Sequence, residues 1–495
     1  MADFAMLLHG KKRLKINEIL TIIGVTFERG QAGTAGRKGI CAMGAAKMGG
    51  GAGGRPQLAA LLAHVGLYVR ALVKWLILAV CVGTACGGVG AAFHVGIDRA
   101  AALREAHPWL LACLPLAGLV IVACYKLTRT EGQGTNDIID EVHQGQGLSI
   151  WLLPAIFLGT VLTHLCGGSA GREGAALQMG GTIGYHAGRL FRLDDQDLRV
   201  ATMAGMAAFF SALFGTPLAA TVFAMMVISV GVLYHAALIP CLTAALTAFG
   251  VSRWLGVAPT RFMVEAPALE TWMLVRVAVL GALCALVSVL FCNTLQFAER
   301  QARRRISNPW LRVLAGGAAV IALTLLCGTT DYNGAGMEII TAAVEEGTAR
   351  PEAFLLKIVF TAVTLAAGFK GGEVVPCFFI GAAFGCAAGP LLGIPAGFAA
   401  AVGLTAVFCA ATNCPIASIF LAVELMGDGG LLYYALACGI SYMLSGYNGL
   451  YSSQMIKYSK LKARYINVYT NAHHAGEDGE LAPEEAASSI RNREG

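Results

Sequence analysis

The chain has 495 residues, 56% of them hydrophobic and only 13% charged, whereas roughly a quarter of residues are charged in soluble globular domains. That balance excludes a nucleic-acid-binding module or a secreted disulfide scaffold as the main body and predicts one all-α, polytopic membrane protein. Residues 1–65 hold nine Lys and Arg against three Asp and Glu, which is the whole formal excess of +6, so the rest of the chain is electrically balanced.

In chain order, residues 1–65 are polar, then Gly-rich and basic from Arg29 to Arg55. They read as a disordered cytoplasmic head without a signal peptide. Apolar stretches long enough to cross about 30 Å of hydrocarbon lie near 66–94, 108–125, 236–256, 272–298 and 311–327. Others, around 151–166, 174–191, 201–215, 217–233, 354–368, 376–393, 397–412 and 415–426, are broken by Gly or Pro. These predict half-helices and reentrant segments, because broken backbone at membrane depth is tolerated only where protein buries it or where it lines a cavity. Basic clusters at Lys126 and Arg129, at Arg300, Arg303, Arg304 and Arg305, and at Lys457, Lys460, Lys462 and Arg464 are expected on the cytoplasmic side. Residues 466–495 turn charged and small and are expected to form a disordered tail with no regulatory domain. The cysteines lie mostly in apolar runs, as Cys81, Cys284 and Cys409 do, and read as reduced apolar fillers. No CxxC or Cys/His spacing closes a metal tetrahedron.

The chain also repeats itself. Ala208-Phe209-Phe210-Ser211-Ala212 with Pro217-Leu218-Ala219 returns loosely as Val407-Phe408-Cys409-Ala410 with Pro415-Ile416-Ala417. Gly132-Gln133-Gly134 with Ile138-Ile139 returns as Gly334-Ala335-Gly336 with Ile339-Ile340, and Gly171-Arg172-Glu173 as Gly371-Gly372-Glu373. The offsets fall between 198 and 202. They divide the membrane part into halves, 66–256 and 257–465, and paired interrupted segments in corresponding halves point to a transport site near the midplane.

The segment Gly167 to Gly174 opens an apolar helix, whose free N–H groups and positive dipole end attract an anion. Glu173 is an anion at that position. Ionised, it would occupy the anion site; protonated, it would leave, which is the physics of a gate that exchanges a proton for an anion. A plainer reading, an interfacial Glu paired with its neighbour Arg172, stands beside it, although an intramembrane carboxylate is a functional hypothesis by default.

Gly171-Arg172-Glu173-Gly174, Thr216-Pro217-Leu218-Ala219 with Phe223, Gly371-Gly372-Glu373-Val374-Val375-Pro376, and Tyr451 near the start of a last helix resemble the ordered motifs of the CLC family of chloride channels and anion/proton exchangers. The resemblance covers roughly residues 66–465. It implies the CLC fold, with two inverted-topology halves of broken and reentrant helices, an anion pathway in each subunit, and a homodimer in the plasma membrane or bacterial inner membrane. It also places Glu173 on the gating glutamate and proton carrier, and Tyr451 on the tyrosine whose hydroxyl lines the inner anion site. Gly171, Arg172, Gly174, Thr135, Asn136, Val374, Val375, Phe378 and Phe379 fall on anion-binding segments. Glu373 is read either as part of the ion path or as a helix-start carboxylate satisfied by backbone. No cofactor or metal is implied.

The departures bear on the substrate. The chloride branch resembles Gly-Ser-Gly-Ile-Pro in its first loop, whereas here the loop reads Gly132-Gln133-Gly134-Thr135-Asn136-Asp137-Ile138-Ile139. Chloride/proton exchangers carry a glutamate pair where this chain has Met226 and Val227. Glu373-Val374-Val375-Pro376-Cys377-Phe378-Phe379-Ile380-Gly381 and Asp331-Tyr332-Asn333-Gly334 resemble the fluoride-exporting bacterial branch, with Val375 where a threonine is expected. A small anion loses more hydration energy in a low-dielectric site than a large one, so it needs closely spaced donors such as helix N-termini. The positive rim of a phenyl ring would let Phe378 or Phe379 serve fluoride too, although core packing is the plainer reading for at least one of them. The expected function is fluoride export coupled to proton import, with chloride transport as the rival in the same fold. A membrane-embedded phosphatase is a distant alternative, because Arg172 stands almost alone as a phosphate-binding group. Glu424 reads as structural, and Asp137, Asp140, Glu141 and His143 as a solvated cytoplasmic face rather than a metal site.

Overall fold

The structure is a computed structural model that describes residues 54–471 except Gln146 and Ala463. The head through residue 53 and the tail from residue 472 lie outside the described residues. Helix α1 (Gly54–Ala106) opens the described chain. Residues 54–65, expected in the head, therefore belong to a helix. Pro56 sits in its first turn, where its missing N–H costs nothing, and the Ala- and Leu-rich run behind it favours helix.

A 3₁₀ turn (Pro108–Cys113) leads into α2 (Leu114–Leu127). There follow α3 (Thr135–Gln144), α4 (Leu152–Leu165), α5 (Glu173–Leu190), α6 (Asp195–Phe214), α7 (Pro217–Met226) and α8 (Leu238–Trp254). Helices α9 (Thr271–Arg305), α10 (Pro309–Cys327), α11 (Met337–Thr341), α12 (Ala353–Ala367), α13 (Val374–Ala388), α14 (Ala396–Thr412), α15 (Pro415–Met426) and α16 (Leu431–Leu444) repeat that order of long, short and broken pieces.

Among the described residues, six helical stretches are long and apolar enough to cross a membrane: His64–Ala106, Pro108–Leu127, Asp195–Phe214, His235–Trp254, Thr271–Arg305 and Pro309–Cys327. Five answer to the expected spans. The sixth, α6, is expected from the sequence only as a piece near 201–215, because Asp195, Asp197 and Arg199 dilute its first turns. Those charges belong to the helix start: the Asp194 side chain accepts from the Asp197 N–H at 2.8 Å and caps it.

The repeat is visible in packing. Helices α5 and α6 touch backbone to backbone at Gly180 and Gly205, where a Cβ on Gly180 would lie 2.3 Å from the Gly205 carbonyl oxygen. Helices α13 and α14 do the same at Gly381 and Gly403, where the corresponding distance is 2.4 Å. Small residues at such positions let helices approach where no hydrophobic force drives them together. Between the halves, Gly171 and Gly372 form an antiparallel bridge, with Gly171 N–H donating to Gly372 O at 2.6 Å and Gly372 N–H to Gly171 O at 2.7 Å. Corresponding loops that meet antiparallel mark the pseudo-two-fold axis between inverted halves.

One element departs from the all-α expectation. Strands β1 (Ser229–Val230), β2 (Met455–Tyr458) and β3 (Tyr465–Tyr469) form a small sheet in that order, β1 parallel to β2 and β2 antiparallel to β3. Tyr451 therefore does not start a last helix. It lies in the turn between α16 and β2, after Gly446 has left the helix at φ +58°, and residues up to Tyr469 are strand rather than tail.

Candidate functional site

Two helix heads converge on the axis. Helix α5 starts at Glu173 and α13 at Val374, each directly after a glycine-rich loop. The loops touch so closely that a Cβ on Gly171 would lie 2.5 Å from the Glu173 carboxylate and 2.9 Å from Pro376 Cδ. Glu173 is completely buried. Its Oε2 accepts from the Arg172 N–H at 2.9 Å and from the Val375 N–H of the other half at 3.2 Å. Its Oε1 lies 3.6 Å from Arg172 Nε and has no hydrogen bond. The carboxylate thus sits across both helix heads, on the donors that would receive an anion. Val375 contributes backbone N–H, so the missing threonine hydroxyl is not needed for this bond. Val374 and Gly174 are buried beside it.

Beside these helix heads lies a cavity of about 610 Å³ whose lining includes the Gly132–Asp137 loop, Gln178, Lys370, Glu373 and Tyr451. Glu373 is packed against the head of α5: a Cβ on Gly174 would lie 3.3 Å from its Oε2, and that oxygen is buried without a hydrogen bond. The Tyr451 hydroxyl is likewise buried and unpartnered. Thr135 and Asn136 both lie at this cavity, but their hydrogen bonds are structural. Gln178 Nε2 donates to Thr135 Oγ1 at 3.2 Å, and Asn136 Oδ1 accepts from the Ser453 N–H at 3.2 Å. Residues Asp137 to His143 are no solvated face. Asp137 Oδ2 accepts from the Gly134 N–H at 2.7 Å, Ser453 Oγ donates to Asp140 at 2.7 Å, buried Glu141 accepts from Gly147 N–H, and His143 Nε2 bonds Ile228 O at 2.9 Å. The amphipathic pattern of α3 turns Ile138, Ile139 and Val142 inward and carries these groups with them.

Phe378 and Phe379 diverge. Phe379 faces Tyr332 at 6.4 Å, and the Lys357 ammonium lies 5.1 Å from its ring centre. Phe378 belongs to a closed circuit of rings, Phe210, Phe214, Phe378, Phe408 and Phe223, with centroid separations of 4.8 to 5.8 Å. The Arg172 guanidinium carbon is 5.8 Å from the Phe214 ring centre, so the circuit borders the Gly171–Glu173 loop.

Three groups escape the sequence reading. Lys370 is held 4.1 Å from the Tyr125 ring centre at the cavity wall. Buried Lys357 donates to Tyr332 O at 3.1 Å and Gly334 O at 2.8 Å. Both were open to detection as cations in apolar runs. The third is His94, which with Asp98 of α1 meets Arg172, a pairing across 78 positions that no local pattern announces. Glu424 is structural as expected: its two oxygens accept from the Leu218 and Ala219 N–H groups at 3.0 and 2.8 Å, capping α7.

Over residues 116–446 the chain matches the family described as voltage gated chloride channel. It belongs to that family. A "Chloride/fluoride channel protein" of Pseudomonas syringae pv. tomato is 38% identical, over 79% of this chain and 88% of its own. An "H(+)/Cl(-) exchange transporter ClcA" of Vibrio parahaemolyticus is 28% identical, over 71% and 82%. Among solved structures, a CLC-type fluoride/proton antiporter superposes with a TM-score of 0.75 at 34% identity, covering 78% of this chain and 98% of that one. A slow cyanobacterial Cl⁻/H⁺ antiporter, at 20% identity and a TM-score of 0.66, shares the fold. The chain is thus a multi-pass CLC protein, and these relatives are channels and transporters rather than enzymes.

Proposed function

We propose that this CLC protein exports fluoride across the membrane in exchange for protons, with Glu173 as the group that competes with the anion and carries the proton. The seat of Glu173 carries the reading. Its carboxylate accepts backbone N–H groups from both halves, so an anion entering those donors must displace it, and protonation weakens its hold. Glu373, half-buried, with its Oε2 buried, without a hydrogen bond and against Gly174, is the inner proton group in place of the glutamates that Met226 and Val227 replace. Gly171, Gly174, Val374 and Val375 form the anion seat, Thr135 and Asn136 hold the loop beneath it, and Tyr451 offers its hydroxyl from the inner cavity.

Fluoride is favoured over chloride by three supports. The Gly132–Ile139 loop lacks the Ser-Gly-Ile-Pro pattern; Phe378 sits in an aromatic circuit next to the gate loop, where ring edges can meet a small anion; and the Pseudomonas relative at 38% identity and the structural neighbour with a TM-score of 0.75 are a chloride/fluoride channel protein and a fluoride/proton antiporter. Hydrogen fluoride enters cells as a neutral weak acid and is trapped inside as the ion, and an inward proton gradient can drive that ion out. The protein acts as a homodimer in the inner membrane, with its basic clusters facing the cytoplasm.

The test is efflux from proteoliposomes loaded with equal fluoride and chloride, read by ion-selective electrodes with pH recorded together. Fluoride should leave at least tenfold faster with protons moving the opposite way, a preference that needs only about 1.4 kcal/mol. Equal rates, or chloride ahead, would assign the chain to chloride transport, which the 28% relative represents.

A further inference from the structure

Arg172, whose backbone holds the gate, extends its side chain toward the rim of the molecule. Its Nη1 lies 2.6 Å from His94 Nδ1 and 3.9 Å from Asp98 Oδ1, while its Nε is 3.6 Å from Glu173 Oε1. A guanidinium only donates, so His94 Nδ1 must be the acceptor and carries no proton. The ring proton is then on Nε2, which faces Asp98 Oδ2 at 3.1 Å. His94 and Asp98 are one turn apart on α1, on the same face. Asp98 stands where the apolar run of α1 gives way to Asp98, Arg99, Arg104 and Glu105, and its side chain is 58% exposed against 0% for Glu173. A line of contacts therefore runs from an exposed carboxylate to the buried one, and its second member is a histidine, whose free ring nitrogen can take up a proton.

We infer that His94, set by Asp98, is a positioning residue for the gate: it anchors Arg172 through Nδ1 and makes transport sensitive to pH on the face that Asp98 reaches. This rests on the role proposed for Glu173. When Nδ1 takes a proton it can no longer accept, and two cations oppose each other across the former bond. Arg172 is then free to close on Glu173 Oε1, which has no hydrogen bond in the present arrangement. The added pairing holds the ionised carboxylate in its seat, so acid slows transport through this limb. The charged groups against His94 are Asp98 on its own helix and Arg172 at the head of α5. The neighbouring faces of α4 and α6 bring Phe157, Val161, Phe209 and Ala212 to the glycines on either side of it.

The experiment measures anion and proton flux from proteoliposomes of the full chain, with equal pH on both faces stepped from 8 to 5, for wild type, His94→Asn, His94→Leu and Asp98→Asn. Asn keeps an acceptor near Nδ1 and cannot gain the proton, so His94→Asn should retain flux at pH 7.5 and lose the acid step. His94→Leu removes the acceptor and should lower flux about tenfold at every pH, the loss expected for one charged hydrogen bond, with a flat profile across the step. Asp98→Asn should move the step to lower pH by about one unit, because an opposing charge has gone. Unfolding temperature in detergent accompanies each variant, and a merely structural His94 would show equal damage in Asn and Leu with the acid step intact. That result, or an unchanged profile in His94→Asn, overturns the inference. A wild type that moves no protons against anions would instead overturn the proposed function, so the two failures are distinct.

Discussion

Replacing Glu173 by Gln removes a charge and a proton site while keeping the shape, which makes it the sharpest probe of the gate. The carboxylate is held by the Arg172 and Val375 N–H groups at 2.9 and 3.2 Å. Hydrogen bonds to a charged group are worth about 1.5–3 kcal/mol and neutral ones about 0.5–1.5 kcal/mol, so the amide is held about 1 kcal/mol less tightly per bond and about 2 kcal/mol less in all. The amide nitrogen of Gln would also face Arg172 Nε, donor against donor, where the carboxylate had an ion pair at 3.6 Å. A loss of about 2 kcal/mol shifts the ratio of seated to released side chain about 30-fold toward release. Anion flux should therefore continue, and proton movement should disappear because an amide does not carry the proton. The assay is simultaneous fluoride-electrode and pH recording from proteoliposomes of both proteins. Proton movement that survives in the Gln variant at the wild-type ratio to the anion would refute the seat-and-carry argument.

Four further outcomes follow from the same geometry. Gly372→Ala puts a methyl 2.3 Å from the Gly174 nitrogen, an overpacking of about 1–3 kcal/mol, and should cut anion flux at least about tenfold; wild-type flux in a folded variant would contradict it. Glu373→Gln should suppress proton movement more than anion movement, and equal loss of both on the two electrodes would remove Glu373 from the proton route. Tyr451→Phe should weaken fluoride binding at least about tenfold, the worth of one hydrogen bond to a charged group, as read by titration calorimetry, and unchanged affinity would take its hydroxyl out of the site. Glu424→Ala strips two charged caps from α7 and should destabilise the protein by about 3 kcal/mol, seen as a lower unfolding temperature in detergent with ion preference unchanged.

What the sequence made legible was whatever is written in neighbouring residues. Gly171 to Gly174 combine a glycine break, a charge and an apolar helix, and that conjunction reads as a gate without coordinates. The repeat was legible because glycine loops must recur where two inverted halves meet, and Gly171 and Gly372 do meet. Contacts between distant segments were not. The Phe210–Phe214–Phe378–Phe408–Phe223 circuit joins four helices, and no single one of them shows it. The strands were invisible because β1 has two residues and β2 four, too short for alternation to register, so Tyr451 was assigned to a helix. Glu141 and His143 looked solvated because charge was read apart from the helix face it shares with Ile138 and Val142.

The small sheet bears on how such a protein is made. Strand β1 emerges early, directly after α7, yet waits for β2, which leaves the ribosome only after every helix of both halves. The segment behind Tyr451 is fastened by Gln454 to the Val227 and Thr412 carbonyls at 3.0 and 2.9 Å and by Ser453 to Asp140. The wall of the inner cavity that bears Tyr451 is thus the last part of the path to be sewn in. A chain that ends before β2 lacks the fastening of this wall, so the fold closes with a stitch rather than with a span.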